Sequence, residues 1–149
     1  PGLRSGFVAG DPELIRKFLL YRTYQGCAMP LHVQAASALA WADEAHVRDN
    51  RAVYRRKFDA VLDILAPVLE VTRPAGGFYL WPRTPVPDTT FAAELFRTRN
   101  VTVLPGSFMS RDQDGPDPGV GRVRMALVAP LEDCIEAAVR IRSFVDTLD

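Results

Sequence analysis

An α/β fold is predicted, helical over the first part of the chain and closing on a small α+β unit with a short, mainly antiparallel sheet. Three observations point there. Apolar residues recur at helical spacing through residues 12–65. Beyond Pro67 the texture changes to short β-branched and aromatic runs separated by Gly and Pro. Finally, residues 121–130, Gly-Arg-Val-Arg-Met-Ala-Leu-Val-Ala-Pro, alternate as a strand does.

Taken in order, residues 3–9 alternate loosely and predict a short strand carrying Arg4, stopped by Gly10. Asp11-Pro12-Glu13 starts a helix: Asp11 caps, Pro12 is tolerated in the first turn, and Glu13 complements the dipole. That helix is expected over residues 12–24 with Leu14, Ile15, Phe18 and Leu19 inward, ending at Gly26. An alanine-rich helix is expected over residues 31–43. A longer one over residues 45–65 carries Val47, Tyr54, Phe58, Val61, Leu62 and Leu65 as its stripe, with Arg48, Arg51, Arg55 and Arg56 on a solvated opposite face. A domain boundary is placed at residue 66, giving 1–66 and 67–149. In the second part, residues 68–72 and 78–81 are expected to pair across the Arg73–Gly77 turn. Asp88 or Thr89 is expected to cap a helix reaching Asn100. Residues 101–104 form a strand, residues 110–121 an exposed loop, and a final helix opens at Pro130 with Leu131, Ile135, Ala138, Val139 and Ile141 inward.

In the 121–130 strand, Arg122 and Arg124 share one face and Val123, Met125 and Leu127 the other. A planar, permanently charged fork in a mostly apolar run suits bidentate recognition of a carboxylate or phosphate. It equally suits an edge strand kept soluble by charge.

The 149 residues are 48% hydrophobic and balance 18 Lys+Arg against 18 Asp+Glu, which predicts a globular chain with no electrostatic footprint for nucleic acid. No apolar run approaches a membrane span, and no secretory leader pattern is present. Cys27 and Cys134 match no metal or redox spacing and are expected to be reduced, buried thiols of a cytoplasmic protein. His32 and His46 sit in predicted helices outside any metal motif, so structural or surface roles are expected. Gly76-Gly77 and Pro105-Gly106-Ser107 read as turns. The opening Pro1-Gly2-Leu3-Arg4-Ser5-Gly6-Phe7 starts inside a patterned segment, which reads as a piece of a longer protein.

Four motifs together carry a resemblance: Leu3-Arg4-Ser5-Gly6-Phe7, the glycine turn into Phe78-Tyr79-Leu80-Trp81, Val103-Leu104-Pro105-Gly106-Ser107-Phe108, and Val123-Arg124-Met125-Ala126-Leu127. In this order and spacing the chain resembles the C-terminal part of the class I/II aminotransferases, pyridoxal 5'-phosphate (PLP) enzymes of fold type I. The resemblance covers essentially all of the chain. Within the family, residues 20–29 and 100–107 look most like N-succinyldiaminopimelate aminotransferases of lysine and diaminopimelate biosynthesis.

The resemblance implies a PLP-dependent transferase-like fold, with residues 1–66 ending the large cofactor domain and 67–149 forming the small domain. It matches Arg4 to the arginine that binds the cofactor phosphate, and Arg124 to the one that grips the substrate α-carboxylate. Arg22 lies in the subgroup run and is a candidate either for a distal substrate carboxylate or for a surface salt bridge. The Schiff-base lysine is expected eight residues before Arg4, outside this chain. Neither Lys17 nor Lys57 stands in its motif, so no catalytic residue is assigned here, and the isolated chain, lacking that lysine, is expected to be inactive and to hold no PLP on its own. Implied partners are an amino donor, a 2-oxo acid such as 2-oxoglutarate, and a second copy in a homodimer. The same resemblance leaves open an aminotransferase-like effector domain of a transcription regulator, or another fold type I PLP enzyme.

Overall fold

The computed structural model describes residues 2–111 and 115–148. They fall into two units, Pro1–Arg48 and Asp49–Asp149.

In the first unit, helix α1 (Pro12–Gln25) starts where the sequence predicts: the Asp11 carboxylate accepts hydrogen bonds from the Glu13 and Leu14 amides at 3.0 and 3.1 Å. Helix α2 spans Leu31–Ala42, and Trp41 meets Phe7 edge-to-face with ring centres 5.0 Å apart. Two expectations fail. Residues 3–9 are not a strand, because no described residue offers them a ladder partner. The stripe of α1 is not buried either: Leu14, Phe18 and Leu19 are exposed and Ile15 only half-buried, since the unit supplies no layer opposite them. Val33 alone of the described residues in this unit is buried.

The second unit holds the core. Helix α3 (Ala45–Leu65), most of which belongs to this unit, points Phe58, Val61 and Leu65 inward and leaves Arg51, Arg55 and Arg56 in solvent, as its periodicity requires. Because these residues pack with the C-terminal elements, they belong to the second of the two compact units, which part at residues 48–49. Strand β1 (Tyr79–Leu80), helix α4 (Asp88–Arg99), strand β2 (Leu104–Pro105), a 3-10 turn (Gly106–Phe108), strand β3 (Val123–Ala126) and helix α5 (Leu131–Val145) follow. Leu80, Phe91, Leu95, Val123 and Ala138 are wholly enclosed, and Phe91 meets Phe144 edge-to-face at 5.2 Å. Each large side chain so enclosed contributes roughly 1.5–3 kcal/mol of apolar transfer free energy.

The sheet is antiparallel throughout, in the order β1-β3-β2, with Tyr79 opposite Ala126 and Leu104 opposite Arg124. Residues 68–72 do not pair with β1 as expected; one backbone bond, Arg83 N–H to the Glu70 carbonyl at 3.0 Å, is what connects that stretch to the strand's exit. The place beside β1 is taken by β3. The strand expected over residues 101–104 shortens to Leu104–Pro105, and Val139 faces solvent, not the core. On α5 the inward stripe runs through Cys134, Ala138, Ile141 and Phe144, leaving Val139 about 100° around the helix.

Two backbones touch beside β3. A Cβ on Gly106 would lie 2.1 Å from the Gly119 carbonyl oxygen, and one on Gly119 would lie 2.3 Å from that of Gly106. Only glycine permits this approach, so the 3-10 turn and the chain entering β3 are locked together. Residues 112–114 of the expected exposed loop lie outside the described residues.

Lys57 breaks the pattern of α3. It is 5% exposed, and its Nζ donates to the Leu127 carbonyl at 3.0 Å and reaches the Val128 carbonyl at 3.5 Å. A buried ammonium is costly unless hydrogen-bonded, and these two carbonyls just past β3 provide the partners. Cys134 is buried as expected and burial pushes its thiol up, although Lys57 nearby pulls the other way. Cys27, expected to be buried, is exposed; it lies in the extended link after α1, where nothing covers it.

Candidate active site

Arg124 stands on the middle strand of the sheet, which removes the edge-strand reading of its charge. The alternation puts Val123, Met125 and Leu127 in the core and Arg124 on the opposite face, half-buried. Its guanidinium carbon lies 4.7 Å from the centre of the Tyr79 ring. Stacking uses the face of the guanidinium and leaves its in-plane N–H groups available. No carboxylate among the described residues pairs with it. A half-buried cation with its donors unspent is suited to an anionic ligand. Arg122, its neighbour on the same face, is spent locally: it donates to the Trp81 carbonyl at 3.0 Å and lies 3.7 Å from Glu70.

The support under this strand comes from Asp88, which is 4% exposed. The cap of α4 is neither Asp88 nor Thr89, the two residues expected there: Pro87 holds the cap position and both sit inside the first turn. Its carboxylate accepts from the Ser107 hydroxyl at 2.6 Å, the Ser107 amide at 3.0 Å and the Gly121 amide at 3.4 Å. One buried acid thus ties together the turn after β2 and the glycine before β3. Burial alone pushes this carboxyl up; the hydrogen bonds from Ser107 and Gly121 outweigh that, and the group rests below the ordinary aspartate value.

The sign of the pH effect follows. A group depressed in the folded state stabilises above its unfolded pKa, about 3.9, and that contribution is lost as pH falls through the folded value. Asp88→Asn is therefore expected to cost about 1–3 kcal/mol near neutrality, by weakening the acceptor to three donors. The gap from wild type should narrow as urea midpoints are followed from pH 6 to pH 3. A gap of constant size would show that the Asp88 charge is not what holds the corner.

The first unit places Arg4 and Arg22 on one cleft of ≈ 340 Å³, with Leu3, Cys27 and Met29 among its walls. Arg4 is exposed and its backbone is left-handed, φ 55°, a conformation a non-glycine residue rarely adopts. It also lines an adjoining cleft with Ser5 and Ser37, whose hydroxyls hydrogen-bond each other. No described carboxylate pairs with Arg4. A guanidinium beside two hydroxyls fits a phosphate group. Arg22 pairs with no carboxylate among the described residues; its Nη2 donates to the Cys27 carbonyl at 3.1 Å, closing the turn past Gly26. His46 makes a surface contact with Asp43, 3.2 Å from Nδ1, and His32 is exposed. Arg124 belongs to the other unit.

The sequence model of the class I and II aminotransferases matches residues 1–141. The chain belongs to this family. Its members are PLP-dependent, and the architecture agrees with the solved ones: an aminotransferase from Neisseria meningitidis superposes with a TM-score of 0.83 at 51% identity, covering 97% of this chain and 37% of that one. A probable N-succinyldiaminopimelate aminotransferase from Thermus thermophilus gives a TM-score of 0.59 at 39% identity over 68% of this chain and 26% of its own. Among curated sequences, a probable aminotransferase of Mycobacterium tuberculosis is 36% identical over 141 residues, 94% of this chain and 32% of that protein. The chain therefore spans about a third of the length of the aminotransferases it matches. No helix among the described residues is long and apolar enough to cross a membrane.

Three features of the C-terminal unit escaped the sequence reading. Lys57 was legible in principle, being three residues after Tyr54 and four before Val61 on the inward stripe. The stacking of Arg124 on Tyr79 and the clasp by Asp88 depend on strand register and carry no local signal.

Proposed function

We propose that the full-length protein is a PLP-dependent aminotransferase acting on a succinylated diaminopimelate-type donor and a 2-oxo acid such as 2-oxoglutarate. On this reading it is a cytoplasmic homodimer, with residues 1–66 closing the large domain and residues 67–149 forming the small one. The observation that carries the reading is Arg124: a stacked, half-buried guanidinium on a central strand with no described carboxylate of its own.

When bound, PLP supplies an electron sink for the bond-breaking at the substrate Cα. The residues of this chain supply grip and orientation. Arg124 takes the α-carboxylate in a two-point hydrogen bond, which fixes the direction of the Cα–H bond and converts a bimolecular encounter into an ordered one. Amino donor and 2-oxo acid both carry that carboxylate, so one arginine serves both halves of the exchange. Arg4 would hold the phosphate with the Ser5 and Ser37 hydroxyls beside it. Arg22, on the same cleft as Arg4, is assigned the distal carboxylate of the succinyl group. Asp88 keeps the ends of β2 and β3 in place, and the buried side chains of Val123 and Met125 seat β3 on the core.

A donor panel with 2-oxoglutarate tests this on the full-length protein: succinylated and free diaminopimelate, aspartate and an aromatic amino acid. The succinylated donor is expected to lead in kcat/KM by at least about tenfold, since a site built for a polar group rejects donors lacking it. Arg22→Gln should erase that lead without changing the rate on the aromatic donor, which carries no distal carboxylate. A different leading donor would overturn the substrate assignment, and no transamination with any donor would overturn the activity.

A further inference from the structure

We propose that Lys57 is a positioning residue for Arg124, acting from the core side of β3 and through an aromatic stack; this rests on the reading of Arg124 as the carboxylate grip. The amine of Lys57 holds the Leu127 carbonyl at 3.0 Å and lies 3.5 Å from that of Val128. These are the residues through which β3 leaves the sheet, three and four positions beyond Arg124. Leu127 is also tied on its other side, its amide donating to the Phe78 carbonyl at 3.0 Å. The lysine thus anchors the point where β3 and the start of β1 are joined.

The second connection is through rings. Lys57 Nζ lies 4.9 Å from the centre of the Tyr54 ring, one turn earlier on α3. Tyr54 packs on Phe78 at 6.1 Å, Phe78 on Tyr79 at 4.2 Å, and Tyr79 carries the Arg124 guanidinium at 4.7 Å. Every member of this series belongs to the C-terminal unit. A leucine or methionine at residue 57 would fill the same volume with less desolvation, so the position needs the donor for what it bonds. Its bonds end at the strand and the stack that aim the carboxylate grip. Neither connection brings Lys57 to the substrate, which is why it positions and does not catalyse.

The test is a double-mutant cycle on the full-length holoenzyme with Lys57→Met, Arg124→Ala and both together, reading KM for the amino donor and for the 2-oxo acid, kcat, and Tm. Lys57→Met is expected to raise both KM values about tenfold, as a displaced binding group does, with kcat changed less. Lys57→Arg, which restores a donor of the same charge, should return KM to within about threefold of wild type. In the Arg124→Ala background Lys57→Met should add less than about twofold, because the group it positions is gone. A purely structural lysine would lower Tm and multiply its effect in both backgrounds, and that result would overturn the proposal. Should Lys57→Met not fold, Tyr54→Leu carries the same expected pattern at smaller size, and a KM unchanged there would overturn it equally. If Arg124→Ala itself leaves KM unchanged, the failure lies with the carboxylate reading, and the proposal falls with it.

Discussion

Replacing Arg124 by Ala is expected to lower kcat/KM of the full-length enzyme by about 10²–10³, corresponding to about 2.7–4 kcal/mol of lost transition-state interaction. On the proposed reading the size follows from what is removed: a two-point, charge-assisted hydrogen bond to the substrate in a half-buried position, for which Arg122 does not substitute because it is already committed to the Trp81 carbonyl and Glu70. Arg124→Lys should fall between, keeping the charge while losing the fork and most of the stacking on Tyr79. Stability should change little, since the guanidinium lies on the face of β3 away from Val123 and Met125. Steady-state kinetics with urea unfolding as the control checks both halves of this expectation. A variant with wild-type kcat/KM would mean that the substrate carboxylate is held elsewhere.

Substituting Arg4 is expected to weaken PLP binding by roughly two orders of magnitude, in line with about 1.5–3 kcal/mol for each hydrogen bond to a charged group. The choice of replacement matters because of the left-handed backbone at this residue. Alanine keeps the Cβ that this backbone already accommodates in Arg4, whereas glycine would also relieve about 1–2 kcal/mol of left-handed strain and mix that gain into the result. Arg4→Ala is therefore the cleaner variant, and titration of the cofactor-stripped full-length protein with PLP, followed by absorbance, gives Kd directly. The adjoining hydroxyls should leave residual affinity, so Ser5→Ala combined with Arg4→Ala should weaken binding further. A Kd within twofold of wild type would take the phosphate away from Arg4.

How much of this was readable before the structure depends on whether the information was local. Helix starts were, because Asp11-Pro12-Glu13 carries its own cap and the α3 stripe its own period. The alternation of Val123, Arg124 and Met125 likewise placed each residue on its correct face. Strand partnership was not local: residues 68–72 have the composition of a strand, yet β1 pairs with β3, some 46 residues onward. That one change turned Arg124 from a possible edge charge into a central-strand cation, and set Tyr79 beneath it. Asp88 shows the same division from another side. It was read as a cap because its neighbours are in sequence, whereas its actual partners, Ser107 and Gly121, are brought to it by the sheet. Burial of Cys27 and of the α1 stripe failed for a related reason: hydrophobicity predicts that a face wants cover, and says nothing of whether the same stretch of chain provides it.

The most direct test compares a donor bearing a free α-carboxylate with its α-amide, in wild type and in Arg124→Ala. If Arg124 grips that carboxylate, wild-type enzyme should prefer the acid by at least about 10², and the preference should collapse to within roughly tenfold in the variant. An acid-to-amide ratio unchanged by the substitution would contradict the account.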